Sequence, residues 1–367
     1  MKILYLTDQV YLHGGAERIL SLKLNHFIEV YNYDVFLITT EQKNNKPVYF
    51  LNSKIKSKDL GINYHREISY FHPKNLIKSI SHFIKLKREI KRINPDVIIS
   101  LSYSPDQYFL PIIEKKIPKL KEFHTSRNNY KPSFLRRTLD TIFTKYDTLI
   151  LLNETEKSYY TNKNKIVIPN FTDFKPNSLK LDNREKTVIA AGRIAPVKQF
   201  DKLIEIWKGI SADFPEWKLK IFGDGDSSIL KKINQLIEEY NLTETAFVLP
   251  STNNIQEEMQ KASVFALTSY EECFPMVLLE SQSCSLPIVS FDCPNGPRFI
   301  INNNSDGILV EKNNIEDFQK ALKLLMNDEK LRINFGDKAA DNVQKFSKEK
   351  VMKQWSDMIV SVSSVKN

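Results

Sequence analysis

Apolar residues along this chain form short runs separated by stretches where they recur every three or four positions. KILYLT (2–7), DVFLIT (34–39), DVIISL (96–101), KLKEFH (119–124), TLILLN (148–153) and KIVIP (165–169) have the length and β-branched content of strands, with amphipathic helical stretches between several of them. TVIAAG (187–192), KLKIFG (218–223), AFVLP (246–250), SVFALT (263–268), LPIVSF (286–291) and GILV (307–310) repeat the habit. Alternation of this kind predicts a parallel sheet covered by helices, and two such series predict two doubly wound α/β domains. The polar stretch PNFTDFKPNSLKLDNREK (169–186), with two prolines and no clear period, reads as the linker between them. FSKEKVMKQWSDMIVSV reads as a last helix with Val351, Trp355 and Met358 on one face.

One helical stretch is unusual in charge. In FHPKNLIKSISHFIKLKREIKRI (71–93), Leu76, Ile77, Ile80, Phe83, Ile84 and Ile90 recur at helical spacing, with Leu86 off the stripe. Lys74, Lys78, Lys85, Lys87, Arg88, Lys91 and Arg92 stand against the single acid Glu89. KPSFLRRTLDTIFTK (131–145) likewise mixes Arg136, Arg137 and Lys145 with Phe134, Leu135 and Phe143. Two readings stay open: solvated helices in a chain of net charge +9, or attraction to an anionic membrane surface. Nucleic acid fits less well, because the aromatics fall on the apolar stripes and no recognition motif is present.

Composition narrows the class without naming a function. At 367 residues the chain is long for one core and suits two domains. It is 41% hydrophobic and 26% charged, an ordinary soluble balance. No run offers the roughly 18 uncharged apolar residues of a membrane span. MKILYLTDQV reaches Asp8 too soon for a signal peptide and reads as a first strand, so a cytoplasmic protein is expected. Cys273, Cys284 and Cys293 fit neither a zinc spacing nor a disulfide framework.

Ligands of open α/β sheets bind beyond the carboxyl ends of the strands, so the chemistry is sought where each strand ends. After the first strand, Gly14-Gly15 precedes a helix beginning near Ala16; adjacent glycines allow close backbone approach, and a helix start offers N–H groups to an anion. A glycine pair is equally at home in a structural turn, and the dinucleotide pattern GxGxxG is absent. EFHTSR leaves His124 at a strand edge, with Arg127 a weaker candidate. AGRIAPVK carries Arg193 and Lys198 across a loop, two cations suited to a diphosphate or simply exposed. In IFGDGDS, Asp224 and Asp226 read as turn residues rather than as a metal pair. In SYEECFPMVLLESQSC, Pro275 suits a first helical turn and leaves the N–H groups of Met276 and Val277 facing outward. Glu272 lies before that turn and Glu280 inside the helix. Carboxylates accept two vicinal hydroxyls well, although Glu272 could equally act as a dipole cap.

These motifs, in order along essentially the whole chain, resemble the family 4 glycosyltransferases: GGAER, EFHTSR, the interdomain IPN, GRIAPVK, the FGDG turn and Glu272-x7-Glu280. FDCPNGPRFII is similar to a bacterial surface-polysaccharide branch of that family. The resemblance implies a GT-B fold, with two Rossmann-like domains facing a central cleft. Residues 1–170 would bind the acceptor, with helix 346–367 packed back on them, and residues 171–345 would bind the nucleotide sugar. It implies retaining transfer of a hexose or N-acetylhexosamine from a UDP-sugar to a glycan or lipid-linked acceptor, in capsule or O-antigen assembly, without metal or other cofactor. The implied roles are a backbone N–H from Gly15 to the diphosphate, with Gly14 beside it on the donor, Arg193 and Lys198 on the same group, and Glu280 on the ribose. Glu272 with Phe274, Pro275, Met276 and Val277 would hold the donor sugar, His124 would lie near its reacting carbon, and Gly223 would belong to the donor side. Two positions depart from the pattern: Cys273 replaces a glycine, and Phe299 stands where the branch often has Glu. Rival expectations are a GT-B nucleotide-sugar epimerase and a non-catalytic partner of the same fold.

Overall fold

The computed structural model describes residues 1–127, 140–174 and 184–364. Phe134, Leu135, Arg136 and Arg137 of the second basic cluster, and residues 175–183 of the linker stretch, lie outside the described residues. The chain divides into two units: Met1–Pro169 with the C-terminal segment from Glu349, and Asn170–Lys348.

The first unit is built on seven strands: β1 (Lys2–Thr7), β2 (Asp34–Thr39), β3 (Lys56–Asp59), β4 (Val97–Ser100), β5 (Lys119–Glu122), β6 (Thr148–Leu151) and β7 (Lys165–Val167). Their order is β3-β2-β1-β4-β5-β6-β7, and every pairing is parallel. The central strands read as unbroken apolar runs because helices cover both faces; Ile3, Leu4 and Tyr5 are all fully buried. The edge strand β3, KSKD, is exposed along its whole length and has no hydrophobic pattern. A charged edge of this kind blocks pairing with other chains, and for the same reason it escapes a search for apolar runs.

The helix Pro73–Ile93 corrects the sequence expectation about its faces. The residues packed inward are Asn75, His82, Leu86, Glu89, Ile90 and Ile93, so Leu86 is core and the isoleucines Ile77, Ile80 and Ile84 are 60–70% exposed. The polar members of the inner face hide its period. Asn75 Nδ2 donates to the carbonyls of His65 (3.0 Å) and Ser69 (3.1 Å), and the Tyr64 hydroxyl lies 3.1 Å from His82 Nδ1. Satisfied in this way, they sit in the interior without loss.

The last helix, Lys348–Ser364, packs on the first unit through Val351, Met352, Trp355, Met358 and Ile359. The Trp355 ring lies 4.3 Å from Lys23 Nζ, and Ser356 Oγ lies 3.2 Å from the Tyr33 hydroxyl.

The second unit repeats the plan with β8 (Thr187–Ala191), β9 (Lys218–Phe222), β10 (Ala246–Leu249), β11 (Val264–Leu267), β12 (Ile288–Phe291) and β13 (Gly307–Val310) in the parallel order β10-β9-β8-β11-β12-β13. Its core joins Trp207, Trp217, Phe291 and Phe318, the last two edge to face at 4.8 Å. In each unit the strand order reverses beside the first strand, at β1/β4 and at β8/β11, which is where such sheets open to ligands. Among the described residues, no helix is long and apolar enough to cross a membrane.

Candidate functional site

In the second unit the loops leaving β8 and β11 flank the switch point, and they bring two of the expected residues together. Lys198 Nζ lies 2.6 Å from Glu272 Oε1, and Ser269 Oγ donates to the same oxygen at 2.8 Å. Both side chains keep partial access to solvent, so the pair remains open to exchange with a ligand. The loop is tied down by the strand beside it. Thr268 Oγ1 donates to the Lys198 carbonyl (3.1 Å), and the Tyr270 N–H donates to the Val197 carbonyl (2.7 Å). Arg193 lies on the same loop, exposed, with no ion pair among the described residues.

That loop is braced from behind by the FGDG turn. The Ile194 N–H donates to the Asp224 carbonyl and the Asp226 N–H to the Ile194 carbonyl, each at 2.8 Å. A Cβ on Gly223 would collide with the Gly192 carbonyl, so this position is glycine because two backbones meet there. Gly223 thus packs against the start of the Arg193 loop. Asp226 caps the helix Ser227–Glu239, accepting from the amides of Ser228 (2.8 Å) and Ile229 (3.3 Å). Asp224 accepts from the amide and hydroxyl of Ser251. Both aspartates thus have structural partners, and among the described residues no cluster of three potential metal ligands occurs.

Glu272 is positioned by its backbone. Its N–H donates to the Pro294 carbonyl (3.0 Å), and its carbonyl accepts from Asn295 (2.8 Å) and Gly296 (2.7 Å). A Cβ on Gly296 would press on Pro275 and on the Cys273 backbone. The PNG turn is therefore the clamp that holds the Glu272 loop, a role that its sequence alone did not suggest. Cys273 and Phe274 are buried, with Phe274 edge to face with Phe346 at 5.4 Å. Phe299 ends a short 3-10 turn, Pro297–Phe299, and is half-buried.

The helix Met276–Ser283 begins one residue later than expected, with Pro275 as its extended cap rather than inside its first turn. The Leu278 amide bonds back to the Pro275 carbonyl at 3.1 Å, while the amides of Met276 and Val277 have no helical carbonyl behind them. Glu280 is buried one turn further along.

The remaining predicted residues belong to the first unit. Gly14 caps the helix Gly15–Glu29 in extended conformation, and Gly15 rather than Ala16 opens it. The carboxylate of Glu17 covers the Gly14 Cα and accepts from Gln9 Nε2 at 2.5 Å, so an acidic group already occupies the electropositive helix start. His124 follows β5; its N–H donates to the Tyr103 hydroxyl (2.9 Å) and its Nε2 to Glu122 Oε1 (2.6 Å). Lys23 contacts the same oxygen. Arg127 pairs with Asp140. At the β1/β4 switch, Asp8 accepts from the hydroxyls of Ser102 and Ser104, both at 2.6 Å, and lies 3.1 Å from Arg66. Burial pushes its carboxyl up, but Arg66 and the two serines outweigh that and leave it lowered. Burial and the neighbouring Asp8 push Asp106 up.

Residues 171–342 match the model of the family described as glycosyl transferases group 1. The chain is 29% identical to an amylovoran biosynthesis glycosyltransferase, AmsD, of Erwinia amylovora, over 98% of this chain and 99% of the relative. It is 28% identical to an uncharacterised glycosyltransferase of Haemophilus influenzae, over 94% and 96% of the two chains. Among solved structures, HepE of Anabaena in complex with UDP superposes with a TM-score of 0.79 at 16% identity, over 98% of this chain and all of that one, a likeness of fold. The fold is GT-B and the chain is a glycosyltransferase. The epimerase and the non-catalytic partner find no support in these relatives.

Proposed function

We propose that the chain transfers a hexose or N-acetylhexosamine from a UDP-sugar to a glycan acceptor, with retention of anomeric configuration, during bacterial surface-polysaccharide assembly. The observation that carries this is the Lys198–Glu272 pair at the β8/β11 switch, with Arg193 on the same loop and the open amides of Met276 and Val277 beside it. It is a site with cations for a diphosphate and a carboxylate and amides for sugar hydroxyls. The name of the amylovoran relative supports polysaccharide assembly, and the UDP bound by the Anabaena neighbour supports a uridine donor.

In this reading Arg193 and Lys198 hold the donor diphosphate and stabilise the charge that develops on it as the glycosidic bond breaks. Two fixed cations supply that charge, so no metal ion is required. Glu272 holds the sugar, Glu280 the ribose hydroxyls, His124 lies at the reacting carbon, and the Gly14-Gly15 turn contributes an N–H to the diphosphate. The donor phosphate oxygen takes the proton of the attacking acceptor hydroxyl on the same face, which retains the configuration.

The acceptor is lipid-linked, and the exposed row Ile77, Ile80 and Ile84 with the basic residues around it supports work at an anionic membrane surface on the cytoplasmic side.

A thermal-shift panel of UDP-, GDP- and ADP-sugars tests the donor, since the bound ligand raises the melting temperature by mass action. Stabilisation by a GDP- or ADP-sugar and not by any UDP-sugar removes the uridine assignment. Anomeric proton NMR of the product tests retention.

A further inference from the structure

We infer that Glu122 is a positioning residue for His124, anchored in turn by Lys23, so that a buried charged triad sets the orientation of the imidazole used in transfer. The inference rests on the placement of His124 at the donor sugar proposed above.

The local chain geometry brings the two residues together. Glu122 is the last residue of β5 and His124 follows two positions on, so both side chains leave the strand on the same side. Glu122 Oε1 accepts from His124 Nε2 at 2.6 Å. Lys23, from the helix Gly15–Glu29, reaches the same oxygen, and its ammonium lies 4.3 Å from the Trp355 ring and 5.5 Å from that of Tyr5. The backbone of His124 is held separately by the Tyr103 hydroxyl. Ring and main chain of this one residue are thus fixed by two independent contacts.

The energetics point away from a purely structural pair. The Lys23 and Glu122 side chains are each 1% exposed. Placing both charges out of water costs several kcal/mol per ion, and two apolar side chains of similar volume fold as well or better in such a position. Here the carboxylate of the pair touches a histidine at the carboxyl end of β5. Burial raises the carboxyl of Glu122, but Lys23 and His124 outweigh that and hold it well below the usual carboxylate range. It is therefore an acceptor at neutral pH. An acceptor at Nε2 requires the imidazole to carry its proton there, which leaves Nδ1 as the nitrogen free to meet a ligand. The Trp355 contact makes the C-terminal helix part of the support.

The test uses the full chain. Nitrogen-15 histidine spectra of the wild-type protein should show His124 with its proton on Nε2; a proton fixed on Nδ1 alone overturns the inference whatever the variants do. The double variant Lys23→Met/Glu122→Leu removes both charges together and leaves no unpaired ion. It should lower kcat about tenfold to a hundredfold, the range seen for lost supporting contacts, with UDP affinity by calorimetry unchanged and the His124 tautomers mixed. Glu122→Gln, which keeps an acceptor at Oε1, should retain more of the turnover than the double variant. Unchanged kcat in the double variant, with His124→Ala inactive, overturns the positioning role and leaves the proposed site intact. Full turnover by His124→Ala overturns both.

Discussion

Lys198 and Glu272 are 74 residues apart in sequence and meet at 2.6 Å across the β8/β11 switch point, so that a cation and an anion of the proposed donor site neutralise each other. On the proposed reading, a nucleotide diphosphate competes with Glu272 for the ammonium. Glu272→Gln keeps the shape and removes the competing charge. Both side chains are largely buried, so freeing the ammonium from this carboxylate favours an incoming anion, and UDP should bind severalfold more tightly to the variant by calorimetry. Turnover of the UDP-sugar should fall, because the sugar loses its carboxylate. Weaker UDP binding would show that Glu272 supports Lys198 rather than competing for it.

Arg193 stands on the same loop without an internal carboxylate partner among the described residues, so its charge is available to a ligand. Arg193→Ala should lower kcat by a factor of ~100 or more, since one preorganised donor at a developing anion is worth ~2.7–4 kcal/mol. Arg193→Lys should recover part of this, keeping the charge but losing the planar fork. The melting temperature should stay within about a degree, because the side chain is exposed. Turnover equal to wild type would take Arg193 away from the diphosphate.

Most of the architecture was legible because parallel strands buried on both faces announce themselves as apolar runs. Twelve such runs correspond to β1, β2 and β4–β13, each within two residues at its ends. The exception, β3, is an edge strand whose charge is its protection. Helix faces were harder. The inner face of Pro73–Ile93 includes Asn75 and His82, polar groups satisfied by partners distant in sequence, and no periodicity reveals those partners. Candidate residues at strand ends could be placed by position, but their relationships could not. Nothing in the spacing of Lys198 and Glu272 says that they pair, and the PNG clamp on Glu272 acts through backbone alone. Glu122 had a signal, its place two residues before His124 on an extended segment, and Lys23 had none.

His82 makes stability fall on the acid side of neutrality. Burial holds its imidazole down to about 4 from an ordinary 6.5, with Asp8 opposing the shift and Lys85 reinforcing it. Between those values the unfolded chain binds a proton that the folded chain does not. Its contribution is thus constant above pH 6.5 and is progressively lost as the pH falls toward 4. At about 1.4 kcal/mol per unit the full loss is on the order of 3 kcal/mol. His82→Gln should flatten the dependence of melting temperature on pH across this window, whatever its effect at pH 8. An unchanged slope would mean that other groups carry the acid sensitivity.

Ile77, Ile80 and Ile84 occupy successive turns on the outer face of Pro73–Ile93, and Lys87, Arg88 and Lys91 continue the same face toward its C-terminus. Apolar side chains followed by cations suit a helix lying in an anionic interface, the isoleucines in the acyl boundary and the cations at the headgroups. The triple change to Gln at Ile77, Ile80 and Ile84 should leave the melting temperature nearly unaltered, since these side chains face water already. Burying one such side chain is worth about 1.5–3 kcal/mol, so even partial insertion of three predicts at least a tenfold loss of binding to phosphatidylglycerol vesicles by sedimentation. Neutralising Lys87, Arg88 and Lys91 should also weaken binding and should reduce its sensitivity to salt. The two sets distinguish insertion from simple attraction. If only the charge changes weaken binding, the helix rides on the surface electrostatically; if neither does, the row is solvated and the acceptor must be reached without it.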